Sequence, residues 1–399
     1  MPVYLDHAAT TPMRPEAIAA YTDALGVVGN PSSIHSQGQD ARRLLEESRE
    51  TVAGALGCDP IEVVFTSGGT EAINLALKGL YWARNAATPP KSDLLVAAGE
   101  HHATVDTVEW LERHEGAVPR WLPLDGEGRI LVADAADALA RHGQDAALLS
   151  FLWVSNEVGT VQPVAELAAL AAQAGVPAHV DGVAAFGHLP IRFSSLGVDA
   201  LSVSAHKIGG PVGIGALVLS RAAKVVPLVH GGGQQRQVRS GTQDVASAAA
   251  FAAAARAAVA ELAEESVRLS ALRDRLIRGV RASVPEAVLS GLPEGDPGRV
   301  ASNVHFTFPG AQGDSLLFLL DMAGVSVSTG SACQAGIPEP SHVLLAMGRD
   351  EQEARSALRF TLGRTSTDAD VDALLAALPA AYEQASRAGL AERTTRLGR

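Results

Sequence analysis

The sequence predicts an α/β chain: a large domain on a mostly parallel sheet flanked by helices, with a smaller α+β domain attached. Two observations carry this. Short apolar runs alternate with helical patterns through the first two thirds of the chain, the βαβ rhythm that builds parallel sheets. After Val245 the rhythm gives way to one long helical region followed by mixed strands and helices.

In chain order, strands are expected at 62–66, 93–97, 146–154, 176–180 and 200–203. The run 146–154 is apolar almost throughout, as in a strand buried on both faces. Helices are expected at 72–81 and at 164–174, the latter stopped by Gly175. A long helix then covers 245–284, and a loop rich in Pro and Gly follows at 291–298. A strand at 303–308, a helix at 313–322 and a strand at 357–362 come next, and a last helix begins after the cap-like Thr367-Asp368. The division expected is 15–260 as the large domain, with 1–14 and 261–399 as the small domain carrying the segment around Cys333.

Composition narrows the function. The chain has 399 residues, 47% of them hydrophobic and 19% charged, as in a globular protein with a sizeable core. A formal charge of −12 argues against nucleic acid or an anionic membrane as partner. The alanine-rich stretch 245–262 carries Arg256 and Glu261 and reads as a soluble helix, not a membrane span. The first residues lack a basic region followed by an apolar core, so no signal peptide is expected. Two cysteines, Cys58 and Cys333, make no disulfide framework, and a cytoplasmic location is expected.

The chemistry gathers just past the expected strand ends, where open α/β sheets bind ligands. Thr70, His101, Asn156, Asp181 and Lys207 are all so placed. Lys207, in Ser204-Ala205-His206-Lys207-Ile208-Gly209-Gly210, suits a Schiff base with an aldehyde cofactor. Pyridoxal phosphate needs such a lysine, an anion near the ring nitrogen, a phosphate cup and a flat group against the ring. Asp181 would supply the anion. Gly68-Gly69-Thr70 before a helix would form the cup, with Ser204 and His206 as further donors. His101 would stack on the ring and move protons.

Taken singly, each has an ordinary alternative: a strand-end lysine on the surface, a capping aspartate, a glycine pair at a helix start. Cys58 reads as a buried hydrophobe. Cys333 differs, because Ser331-Ala332-Cys333-Gln334-Ala335-Gly336 is small and polar, the setting of a functional thiol. Arg359, on an expected strand, is a candidate partner for a substrate carboxylate or an ordinary surface ion pair. No intrinsic metal site is expected, since His101 and the adjacent His102 point apart and lack partners at ligand spacing. His230-Gly231-Gly232-Gly233 looks like an esterase oxyanion loop, but no nucleophile elbow accompanies it.

Together these pieces resemble the cysteine desulfurases of the NifS/IscS type, among the class V aminotransferases. The resemblance runs through Tyr4-Leu5-Asp6-His7-Ala8-Ala9-Thr10-Thr11-Pro12, Gly29-Asn30-Pro31-Ser32-Ser33-Ile34-His35, Thr66-Ser67-Gly68-Gly69-Thr70-Glu71, the Ser204–Lys207 stretch, Arg239-Ser240-Gly241-Thr242 and Gly330-Ser331-Ala332-Cys333. The stretch Glu339-Pro340-Ser341-His342 is similar to the NifS/IscS subgroup. The resemblance implies the type I pyridoxal-phosphate transferase fold with a seven-stranded sheet, a homodimer, and conversion of L-cysteine to L-alanine. It implies that Lys207 carries the cofactor, Asp181 pairs with the ring nitrogen and His101 stacks on the ring. Gly69, Thr70, Ser204 and His206 would bind phosphate, with Thr242 reaching the cup of the neighbouring subunit. Asn156 and Arg359 would hold the substrate carboxylate. Cys333 would take the sulfur and pass it to a protein acceptor, an iron–sulfur scaffold (with which it would transiently share a cluster) or a tRNA-thiolation enzyme.

The chain departs from that pattern at Ala184, where the family commonly has a glutamine that donates to the cofactor's phenolic oxygen. Two rival readings share the other residues: a lyase or aminotransferase without sulfur relay, and a non-catalytic scaffold. Cys333 separates the first of these from a desulfurase.

Overall fold

The computed structural model describes residues 2–330 and 339–395. In chain order, β1 (Val3–Tyr4) is followed by α1 (Pro15–Leu25), α2 (Ser36–Leu56), β2 (Val63–Thr66), α3 (Gly69–Asn85), β3 (Asp93–Ala97), α4 (His102–Glu115) and β4 (Val118–Leu122). Then come α5 (Val132–His142), β5 (Ala146–Leu152), α6 (Val164–Gln173), β6 (Ala178–Asp181), α7 (Phe193–Leu196), β7 (Ala200–Ser204), β8 (Gly215–Leu219) and α8 (Val245–Ser283). The last third holds β9 (Val288–Leu289), β10 (Asn303–Thr307), α9 (Gly313–Met322), β11 (Val325–Ser326), α10 (His342–Ala346), α11 (Glu351–Arg355), β12 (Ala357–Thr361) and α12 (Asp368–Thr395).

Seven strands form the main sheet in the order β2-β8-β7-β6-β5-β3-β4. Only β8 runs against its neighbours, so the carboxyl ends of the other six point the same way. Every residue of β5, β6, β7 and β8 is buried, as expected for strands covered by helices on both faces. Both sheet edges are protected. β4 is short, partly exposed and carries Pro119, which has no N–H to offer a further strand. Along β2, the Gln235 side chain acts as a piece of strand: its Oε1 accepts Phe65 N at 2.7 Å and its Nε2 donates to Phe65 O at 2.8 Å.

α8 is 39 residues, about 58 Å at 1.5 Å per residue. Asp244 caps it by accepting Ser247 N. Its first half, Ala248 to Ala258, packs into the core around the main sheet. Its second half, Leu269 to Val280, packs into a separate core with β10, β12, α9 and α12. α8 is the described helix long and apolar enough to cross a membrane, yet more than half of its most apolar window is buried inside the protein. The chain start joins the second core, with β1 parallel to β11 and Asp6 bridged to Thr361. A smaller antiparallel sheet, β12-β10-β9, lies there too.

Expected and observed elements differ mainly at their ends. α3 starts at Gly69, three residues before the expected position, and runs on to Asn85. Its polar first turn hides the start, whose signal is Gly68 with φ of 155°. β5 stops at Leu152, because Val154 turns away to bridge Val161. The expected strand at 176–180 is shifted to 178–181, so that Asp181 is its last residue instead of lying beyond it.

Candidate active site

The carboxyl ends of the parallel strands face a cavity of about 440 Å³. Gly69, Thr70, His101, Asn156, Asp181, Ser204, His206, Lys207 and Arg359 all line it, so the structure brings nearly the whole predicted set together.

Lys207 lies in a short turn after β7. Its Nζ donates to Ala8 O and, at 3.0 Å, to Ala9 O, which places the ammonium against the N-terminal segment. Asp181 ends β6, is 2% exposed, and accepts Val183 N on Oδ1 at 2.9 Å. Burial raises its carboxyl to about 6, opposed by the Val183 amide and the Lys207 charge. A cationic ring nitrogen is the partner that would restore full ionisation. Beneath it, two residues back on the same face of β6, His179 is clamped between the hydroxyls of Ser150 and Ser202 at 2.9 Å each. Burial drives this imidazole to about 3, so it is a neutral support for Asp181.

The phosphate cup has the shape an anion requires. A Cβ on Gly69 would lie 2.7 Å from Val183 Cγ2, and one on Gly215 would lie 2.8 Å from the Gly68 carbonyl carbon. Only glycine backbone fits there, leaving the free N–H groups of the α3 N-terminus open to a ligand. Ser204 Oγ is buried without a hydrogen-bond partner among the described residues. An orphaned hydroxyl costs free energy unless a ligand satisfies it, so it fits a phosphate oxygen. His206 completes the rim, with Nδ1 at 3.2 Å from Thr10 Oγ1. Burial and then Lys207 lower its imidazole to about 4, making it a neutral donor.

His101 caps α4 by accepting Ala103 N on Nδ1 at 3.0 Å. That bond puts the ring proton on Nε2. Burial, then Lys207, lowers its pKa to about 4. With Nδ1 engaged and Nε2 protonated, the ring presents a neutral N–H.

Arg359 is no surface ion pair. It is 5% exposed on β12, its Nη1 donates to Asn156 O at 2.9 Å and its Nη2 to Asp6 Oδ1 at 3.0 Å. Asn156 Oδ1 and Arg359 Nε are both buried without partners among the described residues, so the pair retains capacity for a ligand. Ala184 also lines the cavity, with a methyl group where the family pattern has a donor. Thr242 is exposed and does not line this cavity; its loop is tied down by the Arg239–Glu71 pair at 2.8 Å. Cys333 lies outside the described residues.

Sequence reasoning missed two acids, one half-buried and one fully buried. Asp6 orients Arg359, although it stood in plain view in the Tyr4–Pro12 motif. Glu100 is fully buried, accepts Leu152 N at 2.7 Å, and is raised to about 8 by burial and then by Asp181. It is therefore mostly protonated at neutral pH, and its place just after β3 beside His101 was the only hint.

A protein-family model described as aminotransferase class-V matches residues 3–374. The chain belongs to the class-V aminotransferase family. An IscS-like cysteine desulfurase of Mycobacterium tuberculosis is 52% identical over 388 residues, covering 97% of this chain and 98% of its own length. A cysteine desulfurase IscS of Dictyoglomus turgidum is 40% identical over 383 residues, covering 96% and 95%. Among solved structures, a NifS-like protein superposes with a TM-score of 0.87 at 32% identity, covering 96% of this chain and 99% of its own. A structure described as SspA in complex with cysteine has a TM-score of 0.75 at 30% identity, covering 90% and 98%. The chain thus sits with the IscS/NifS relatives inside class V, whose cofactor is pyridoxal 5′-phosphate. The glycine cup, the orphaned Ser204 hydroxyl and the buried Asp181 fit that cofactor.

Proposed function

We propose that this class-V enzyme is a cysteine desulfurase that converts L-cysteine to L-alanine and receives the sulfur on Cys333 as a persulfide. The observation that carries the reading is the convergence of Lys207, Asp181 and Arg359 on one cavity, in a chain 52% identical to an IscS-like cysteine desulfurase.

Lys207 would hold the cofactor, Asp181 its ring nitrogen, His101 its ring face, and Gly69, Thr70, Ser204 and His206 its phosphate. Pyridoxal phosphate, when bound, supplies an electron sink that acidifies the substrate's Cα–H and loosens its bond to sulfur. The rest is done by the chain's own groups. Arg359 and Asn156 take the substrate carboxylate, with Asp6 fixing the guanidinium from behind. Lys207 Nζ carries a proton to and from the substrate's Cα. The Cys333 thiolate forms an S–S bond to the substrate sulfur as the C–S bond breaks. The electron pair of that bond stays with carbon and takes up a proton, giving the methyl group of alanine. No outside oxidant is needed.

Thr242 would complete the phosphate cup of a second subunit in a homodimer. The sulfur would pass to a protein acceptor in the cytoplasm, an iron–sulfur scaffold or a tRNA-thiolation enzyme. The test is product analysis of the purified holoenzyme given L-cysteine. Alanine in the wild type, and a Cys333→Ala variant that keeps the visible cofactor band but makes no alanine, are expected. Pyruvate or another keto acid in place of alanine would favour a lyase or aminotransferase and overturn the assignment.

A further inference from the structure

Both chain segments that flank 331–338 meet at one side chain. Glu157 follows Asn156 in the turn after β5 and is 2% exposed. That turn is closed by Ser155 N to Thr160 O at 2.9 Å, Gly159 N to Ser155 O at 3.0 Å, and Val158 N to Ser155 Oγ at 3.3 Å. On the C-terminal flank, Ser341 Oγ donates to Glu157 Oε2 at 2.5 Å while accepting Leu344 N at 3.1 Å as the cap of α10. On the N-terminal flank, Gly330 has φ of +84°, and a Cβ there would lie 3.3 Å from Glu157 Oε2. Backbone therefore packs against the carboxylate where a side chain would crowd it.

The same flanks hold other site residues. Ser328 and Arg359 exchange backbone hydrogen bonds, 3.2 Å from Ser328 N and 2.6 Å from Arg359 N. His342 Nε2 donates at 2.7 Å to the carbonyl of Glu100, the residue before His101.

We propose that Glu157 is a positioning residue for sulfur transfer: it ties Gly330 and Ser341, the described residues on either side of 331–338, to the turn that carries Asn156. The inference rests on the desulfurase reading and deepens it. A hydroxyl-to-carboxylate bond is charge-assisted and directional, which suits such an anchor. A misplacement of about 1 Å can cost roughly 100-fold in rate, and the bonds from Ser328 to Arg359 and from His342 to Glu100 do not run through Glu157, so its loss is expected to act on the transfer step more than on cofactor loading.

The test uses holoenzyme variants in single turnover with L-cysteine. Glu157→Ala is expected to slow alanine formation roughly 10- to 100-fold, with the visible cofactor band and the spectral response to L-alanine little changed. Glu157→Gln, which keeps an acceptor oxygen at the same reach, is expected to recover most of the rate. Ser341→Ala, a milder change, is expected to slow the same step, and adding it to Glu157→Ala is expected to cost little more, because both remove one interaction. An unchanged rate in Glu157→Ala, additive losses, or a loss explained by weakened cofactor or L-alanine binding would each overturn the proposal. A wild type that makes no alanine from L-cysteine would instead overturn the desulfurase reading beneath it.

Discussion

The buried polar atoms without partners define the site most sharply, and Ser204 is the plainest. Its Oγ is sealed from solvent and unpaired among the described residues. A hydrogen bond to a charged group contributes about 1.5–3 kcal/mol. Ser204→Ala should therefore weaken pyridoxal phosphate binding by roughly 10- to 100-fold, read by titrating the visible band. The cofactor-free protein should be no less stable than the wild type in a melting experiment, because an unsatisfied hydroxyl has been removed. Loss of stability without loss of affinity would show that Ser204 serves the fold and not the phosphate. At this scale much was legible in the sequence, since Lys207, Asp181 and Arg359 announce themselves by residue type and place. Glu157 and Asp6 did not, because their partners Ser341 and Arg359 lie 184 and 353 positions away in the chain.

Among the elements, β8 is the one that shapes the cup. It inserts antiparallel between β2 and β7, and its first residue, Gly215, touches the phosphate loop. A Cβ there would lie 2.6 Å from Val203 O and 2.9 Å from Gly68 Cα, both backbone atoms that cannot swing aside. Gly215→Ala should therefore destabilise the fold by about 1–3 kcal/mol through overpacking and weaken cofactor binding as well. Denaturant melts and cofactor titration read the two effects, and an unchanged midpoint would show that the strand yields. The buried strands β5, β6 and β7 were readable as apolar runs. β8 and the edge strand β4 were not, the former lost behind a glycine-rich stretch and the latter broken by Pro119 and polar residues. The long α8 was legible from its alanine content, but its service to two cores was not. That depends on what packs against each half.

Across the whole molecule, buried and half-buried histidines set the response to acid. Burial holds His7, His101, His188 and His206 near 4, and His179 and His305 near 3, against an ordinary value of 6.5. The folded chain binds fewer protons than the unfolded chain in that range, so these groups make stability rise with pH between about 4 and 6.5. Asp181, Glu100 and Asp199 work the other way, because burial raises them, Asp181 to about 6 and Glu100 to about 8, and makes the folded chain bind more protons than the unfolded one. With six histidines against three carboxylates, the cofactor-free protein should lose stability steadily from pH 6.5 down to pH 4, as followed by thermal melts in matched ionic strength. A flat profile over that window would mean that the histidines are solvated.

The most direct measurement is to react the holoenzyme with L-cysteine labelled at sulfur, without reductant, and map the label by mass spectrometry of its peptides. One labelled sulfur atom should appear on the peptide containing Cys333, none on that containing Cys58, with one alanine formed for each. Alanine without label on Cys333, or label distributed equally over both cysteines, would contradict sulfur transfer to Cys333.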